Sequence, residues 1–379
     1  MCRALRSSAY IGKEALRATI TDTHALADRL YLDHAATTPV LAVARAAVAD
    51  GFARWANPSS PHAEGRAARA ALEDARARIK AVLDWDGDVL FTSGATEAIA
   101  IALGRTEADA VLAGSVEHDA VHRAVPNAYI IPVGGDGLVA HDSVVGRLGA
   151  LGARRPLVAI QSVNNETGVQ QSLGVLAGVV RASNGILFVD ASQSAGKIAL
   201  PNADLIAISA HKFGGPPGMG ALLVRDLGLI AASGGQERGY RPGTENLPGA
   251  LGLVAALEVS RSWLDRAADL RSHLDAAIEA SGGQVVAKAS PRLPTIAAYR
   301  MPGVASSAQL IQFDMAGIAI SAGSACSSGS LKPSHVLAAM GWSEESASEV
   351  IRVSFGPETS RADIYRFIEA WKRIAGRAG

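Results

Sequence analysis

A lysine amine bonds covalently to a carbonyl only where it is held in place and desolvated enough to lose its proton. The chain has seven lysines, at 13, 80, 197, 212, 288, 332 and 372. Lys13 and Lys372 lie near the ends, Lys80 sits on an arginine-rich helical face, and Lys332 precedes a proline. Lys212 differs: it follows the apolar run Leu205–Ser209 within Ser209-Ala-His-Lys-Phe-Gly-Gly215. A strand end followed by glycines sets an amine where backbone can approach it closely. Lys197, in Ala195-Gly-Lys197, is its one serious rival. Taken alone, a lysine in such a place is more often a solvated surface residue.

Four further features could act with an amine of this kind. Asp190 ends the run Ile-Leu-Phe-Val-Asp, where a carboxylate could keep a pyridinium nitrogen protonated or simply cap a helix. Thr92-Ser-Gly-Ala-Thr-Glu97 follows another apolar run and opens a helix. Its free N–H groups, helped by the Ser93 or Thr96 hydroxyl, suit a phosphate, although Thr-Glu at a helix start is also ordinary capping. Cys326 lies in Ser321-Ala-Gly-Ser-Ala-Cys-Ser-Ser-Gly-Ser330, a stretch of small residues that packs poorly. An exposed thiol there suits attack and carriage of a product; a plain linker that happens to hold a cysteine is the alternative. Arg352 interrupts the apolar run Val350-Ile-Arg-Val-Ser354, and its fork could hold a substrate carboxylate or form a structural ion pair.

The elements that must position these residues read as a parallel α/β sandwich. The runs Asp88–Thr92, Ala110–Gly114, Leu157–Ile160, Ile186–Asp190, Leu205–Ser209 and Gly220–Val224 are continuous in apolar character. Strands buried on both faces look like this, and helical stretches such as 64–82 and 96–103 separate them. In such sheets ligands gather at the carboxyl ends of the strands, where Lys212, Asp190 and the Thr92–Glu97 turn fall. A helical stretch over roughly 250–280 leads into a segment with fewer strands, closed by a helix from Arg361 onward. The 379 residues suffice for a large and a small domain. Acidic and basic residues balance at 36 each, which argues against direct nucleic-acid or membrane-surface binding. Two cysteines cannot build a disulfide framework or a four-cysteine zinc site, so no metal is expected. No apolar run is long enough for a membrane span and no secretory signal opens the chain, so the cytoplasm is the expected compartment. No Walker-type loop or dinucleotide fingerprint occurs.

Taken together, the segments resemble the cysteine desulfurases of the NifS and IscS type, in the class V aminotransferase group. The resemblance runs from about Tyr31 to Gly356 and rests on Tyr31-Leu-Asp-His-Ala-Ala-Thr-Thr-Pro39, Asn57-Pro-Ser-Ser60, Thr92–Glu97 and Glu117-His-Asp119. It continues through Val163-Asn-Asn-Glu-Thr-Gly168, Asp190-Ala-Ser-Gln193, Ser209–Lys212, Arg241-Pro-Gly-Thr-Glu-Asn246, Gly323-Ser-Ala-Cys326 and Ile351–Ser354. It implies a pyridoxal phosphate transferase of fold type I, with a mostly parallel seven-stranded sheet in a large domain and a smaller α+β domain. The corresponding limits are 1–44 for an N-terminal segment joining the small domain, 45–255 for the cofactor domain and 256–379 for the small domain.

The resemblance also implies roles. Lys212 would bond to the cofactor and later move protons, His118 would stack on its ring, and Asp190 would pair with the ring nitrogen. Gln193 and Asn165 would contact the phenolic oxygen, while Ala95, Thr96, Ser209 and His211 would surround the phosphate. Thr244 would reach the phosphate of a neighbouring subunit, making a homodimer part of the expectation. Arg352, with Asn165 beside it, would take the carboxylate of L-cysteine. Cys326 would accept the sulfur as a persulfide and pass it to an acceptor such as an iron–sulfur scaffold protein. Pro217 stands where relatives often carry lysine, and the first thirty residues do not resemble the usual family start. Selenocysteine lyase, cysteine sulfinate desulfinase or a transaminase on the same fold are the rival activities, and a scaffold that has lost catalysis is the rival class. A mobile thiol favours the desulfurase over a transaminase, which has no use for one.

Overall fold

A computed structural model describes residues 29–259, 261–323 and 333–376. The strands, in chain order, are β1 (Leu30–Tyr31), β2 (Asp88–Thr92), β3 (Ala110–Gly114), β4 (Tyr129–Ile131), β5 (Pro156–Gln161) and β6 (Ile186–Asp190). They continue with β7 (Leu205–Ser209), β8 (Gly220–Val224), β9 (Gln284–Val285), β10 (Ile296–Arg300), β11 (Ile318–Ala319) and β12 (Val350–Ser354). Seven of them form one sheet in the order β2-β8-β7-β6-β5-β3-β4. The pairs from β7 to β4 are parallel, and β8 runs antiparallel to both of its neighbours.

The continuous apolar runs have a direct cause. Val158, Ile160, Leu187, Val189, Ile206, Ile208 and Leu223 pack in one core, whereas Leu157, Ala159, Ile186, Phe188, Leu205, Ala207 and Leu222 pack in another. Neighbouring residues point to opposite faces, and helices cover both. On one side the helices Ala63–Leu83 and Leu247–Leu257 contribute Leu72, Ile79, Leu253 and Val254. On the other, Ala95–Arg105 contributes Ile99 and Leu103. A buried ion pair ties the helix Ala63–Leu83 to the sheet edge. Glu237 accepts from Arg76 Nη2 at 2.7 Å and from the Phe91 N–H at 2.8 Å, and the Arg76 guanidinium lies 4.6 Å over the Phe91 ring.

A second assembly is built from both ends of the described chain. The antiparallel order β12-β10-β9 forms a three-stranded sheet, and β1 pairs in parallel with β11. Leu30 and Leu32 share a core with Tyr299, Phe313, Ile351, Val353, Phe367 and Trp371. The closing helix Arg361–Ala375 starts at a capping box of Ser360 and Asp363 and ends with Lys372 and Arg373 in its last turn. Each suits the helix dipole. The stretch expected to be helical over 250–280 is two helices, Leu247–Leu257 and Trp263–Ala280, because the polar 258–262 connection carries the chain between the two cores.

Candidate active site

The carboxyl ends of β2, β3, β5, β6 and β7 surround a cavity of about 400 Å³. Each parallel strand ends on the same edge, so residues distant in sequence converge there. Ala95, Thr96, His118, Asn165, Asp190, Gln193, Ser209, His211, Lys212 and Arg352 all line it. Of the other residues expected from the sequence, Thr244 is exposed and outside this lining, and Cys326 lies outside the described residues.

Lys212 closes a short 3-10 turn, Ala210–Lys212, directly after β7. Its Nζ donates to the carbonyls of Ala35 at 2.7 Å and Ala36 at 2.8 Å. Lys197, the rival, does not line the main cavity; it borders a smaller one behind Lys212, beside Leu41, Phe213 and Trp263. Burial, with the charge of Lys212 added, lowers the Lys197 amine from 10.5 to about 7. The same basic cluster depresses two imidazoles. Burial, then the charge of Lys197, lowers His34 to about 4; burial, then Lys212, lowers His211 to about 4. His211 Nδ1 lies 3.2 Å from Thr37 Oγ1.

Asp190 ends β6, buried at the cavity wall. Ser192 donates to its Oδ1 from both the backbone N–H (2.9 Å) and the hydroxyl (2.5 Å), which fixes the carboxylate plane. Beneath it Glu117 is fully enclosed. Burial raises its carboxyl well above the usual range, and the charge of Asp190 raises it further. Glu117 Oε1 accepts the Gln161 N–H at 2.9 Å, which opposes that rise in part. His118 caps the helix Asp119–Ala124, its Nδ1 accepting from the Ala120 N–H at 3.1 Å. Gln193 donates to the Ala35 carbonyl at 2.9 Å, while its buried Oε1 has no partner.

The helix Ala95–Arg105 opens into the cavity with no side-chain cap on its first turn. Gly94 before it has φ 151° and ψ 178°, a conformation only glycine adopts without strain. Ser93 and Glu97 are tied together by a 2.5 Å bond from the Ser93 N–H, and Glu97 also accepts from Arg241 Nε at 2.9 Å. That ion pair links the Arg241–Asn246 segment, with Thr244, to the turn that opens this helix.

Arg352 enters from β12. Its neighbours Ile351 and Val353 point into the small core, so alternation turns Arg352 to the seam between the two assemblies. The ion-pair reading is realised, with Nη2 donating to Asp33 Oδ1 at 2.7 Å, and the residue also lines the cavity. Its Nη1 donates to the Asn165 carbonyl at 3.1 Å, and its buried Nε has no acceptor.

Sequence reasoning missed Asp33 and the Ala35 and Ala36 carbonyls. The Tyr31–Pro39 motif was visible, yet nothing in it announced a role; two of its contributions are backbone atoms, which no residue type reveals. Pro217 and Gly218 also line the cavity, so the departure from lysine at 217 falls on the site itself.

The donor set fits pyridoxal phosphate. An amine, a carboxylate fixed for a ring nitrogen, an imidazole, an orphaned amide oxygen and an uncapped helix start occupy one wall-to-wall space of suitable size. Among the described residues no cluster of three metal-binding side chains occurs, and no helix is long and apolar enough to cross a membrane.

Comparison with known proteins follows the same line. Residues 30–367 match the family model "Aminotransferase class-V". A cysteine desulfurase of Cereibacter sphaeroides is 34% identical over 368 residues, covering 90% of this chain and 94% of that protein. One from Gluconacetobacter diazotrophicus is 35% identical over 377 residues, covering 92% and 94%. Among solved structures, the NifS-like protein from Rickettsia africae superposes with a TM-score of 0.83 at 28% identity, covering 91% of this chain and 99% of that one. DndA from Streptomyces lividans gives 0.68 at 33% identity, covering 86% and 99%.

Proposed function

The chain belongs to the aminotransferase class-V family, within its cysteine desulfurases, and on that premise we propose the residue roles by which it converts L-cysteine to L-alanine and a protein-bound persulfide. The observation that carries this reading is the convergence of Lys212, Asp190, His118, the uncapped turn at Ala95 and Arg352 on one cavity.

Pyridoxal phosphate, when bound, supplies an aldehyde that captures an amine and a ring that withdraws electrons from the substrate α-carbon. Lys212 holds the group through its amine. Asp190, oriented by Ser192, keeps the ring nitrogen protonated. His118 would stack on the ring, and Asn165 and Gln193 would serve its oxygen side. The N–H groups at Ala95 and Thr96, with Ser209 and His211, receive the phosphate, and Thr244 reaches that of a second copy in a homodimer.

Arg352 takes the substrate α-carboxylate. The Lys212 amine would move protons, taking the substrate α-proton and returning one as alanine forms. The Cys326 thiolate attacks the substrate Sγ: the new S–S bond forms as the Cβ–S bond breaks, and the electron pair stays with the carbon fragment that is protonated to alanine. L-cysteine and the protein thiol thus become L-alanine and the protein persulfide, whose outer sulfur passes to an acceptor protein such as an iron–sulfur scaffold. We place this activity in the cytoplasm. The large-domain limits of 45–255, with 1–44 and 256–379 forming the other, belong to the same reading.

The test is to load the purified protein with pyridoxal phosphate and supply L-cysteine with a reducing thiol. Alanine and sulfide released in equal amounts are expected; loaded protein that consumes no L-cysteine would contradict the assignment.

A further inference from the structure

The segment Tyr31–Thr38 crosses from the small core into the site, and the roles above leave its one carboxylate unused. It is pinned to the seam face of β12 at two points. The Ala35 N–H donates to Ser354 Oγ at 2.8 Å, and the Asp33 carboxylate accepts from Arg352 Nη2 at 2.7 Å. Arg352 and Ser354 lie two apart on one strand and so share a face. The guanidinium is 5% exposed and Asp33 20% exposed, so water screens this pair weakly.

A guanidinium binds a carboxylate best through two parallel N–H groups. Asp33 takes one Nη2 hydrogen and the Asn165 carbonyl takes one from Nη1. The Nε–H is buried with no acceptor. The two contacts made by Nη1 and Nη2 fix the guanidinium while Nε–H stays unclaimed. The Asp33 charge also offsets that of Arg352 before any substrate arrives.

We propose that Asp33 is a positioning residue for Arg352, fixing the guanidinium with Nε–H unclaimed and weakening its hold on the amino-acid carboxylate so that product leaves. This rests on the reading of Arg352 as the carboxylate site. Asparagine at 33 keeps an oxygen for the guanidinium and removes the charge. Alanine at 33 removes both.

The experiment uses protein loaded with pyridoxal phosphate and measures the Kd of L-alanine from the absorbance change of the bound cofactor, alongside KM and kcat for L-cysteine. Four proteins are compared: the parent, Asp33→Asn, Asp33→Ala and Arg352→Gln. In Asp33→Asn, L-alanine binds about fivefold more tightly, the worth of one such charge contact, and KM falls with it while kcat does not rise. In Asp33→Ala the gain is lost, because the fork is no longer held. In Arg352→Gln binding weakens about a hundredfold. Unchanged or weaker binding in Asp33→Asn, with Arg352→Gln still impaired, overturns the role of Asp33 alone. Unimpaired binding in Arg352→Gln overturns the reading beneath it. A merely structural contact would move the Asn and Ala variants in one direction, and if Asp33→Ala fails to fold, the Asn variant decides.

Discussion

Lys197 offers a stringent check on the electrostatics of the site, because its perturbation is large and its chemistry simple. The side chain is 9% exposed and lies among Leu41, Phe213, Ala256 and Trp263 behind Lys212. Burial, and then the charge of Lys212, lowers its amine from 10.5 to about 7. At 1.36 kcal/mol per pH unit, burying the charged form costs about 5 kcal/mol more than burying the neutral form. The sign follows from proton counting. Below pH 7 the amine is protonated in both folded and unfolded chains, and the penalty is present in full. Between pH 7 and 10.5 the unfolded chain holds the extra proton, so stability rises with pH. Lys197→Met, close in volume and without charge, removes this dependence. Urea unfolding of both cofactor-free proteins, in which the Lys212 amine is unmodified, from pH 6 to 10 should find the Met variant the more stable at pH 6. Its advantage should shrink by about 1.4 kcal/mol per pH unit above pH 7. A difference that does not vary with pH would refute the reasoning, and would mean that Lys197 titrates as an exposed lysine does.

Two further outcomes follow from buried contacts. Glu237→Ala leaves the Phe91 N–H without its acceptor and the Arg76 charge with Glu73, at 3.3 Å, as its remaining acidic partner, and chemical denaturation should show a loss of about 3 kcal/mol. Lys212→Ala should abolish covalent retention of pyridoxal phosphate, read as loss of bound cofactor absorbance after gel filtration, with the melting temperature of the cofactor-free protein little changed. Retained absorbance would move the attachment to Lys197.

Much of the large sheet was legible in the sequence for one physical reason. Strands covered on both faces must be apolar throughout, so Ile186–Asp190, Leu205–Ser209 and Gly220–Val224 stand out against the polar turns between them. The same rule said little about direction, which is why the antiparallel course of β8 was not foreseen. The small assembly was harder to read. The strands β1, β9 and β11 have two residues each, too few for any period to show, and β1 and β11 pair from far apart in the chain.

The site was legible where function resides in residue type, as at Lys212, Asp190 and the turn at Ala95. It was illegible where function resides in the backbone or in distant pairing. The carbonyls of Ala35 and Ala36 hold the Lys212 amine, and an alanine carries no sign of that. Arg352 stayed open between two roles because its partner Asp33 is 319 residues away. Likewise the depth of Lys197 depends on helices and loops contributed by three distant segments, so its sequence context could only mark it as a rival.

The central claim is sulfur transfer to the one thiol in the matched region, and the most direct measurement is sulfide and alanine release by Cys326→Ser loaded with pyridoxal phosphate. With L-cysteine and a reducing thiol, the variant should bind cofactor as the parent does yet release neither product at a measurable rate. Release of both at the parent's rate would contradict the account, since the Cβ–S bond would then be broken without that thiol.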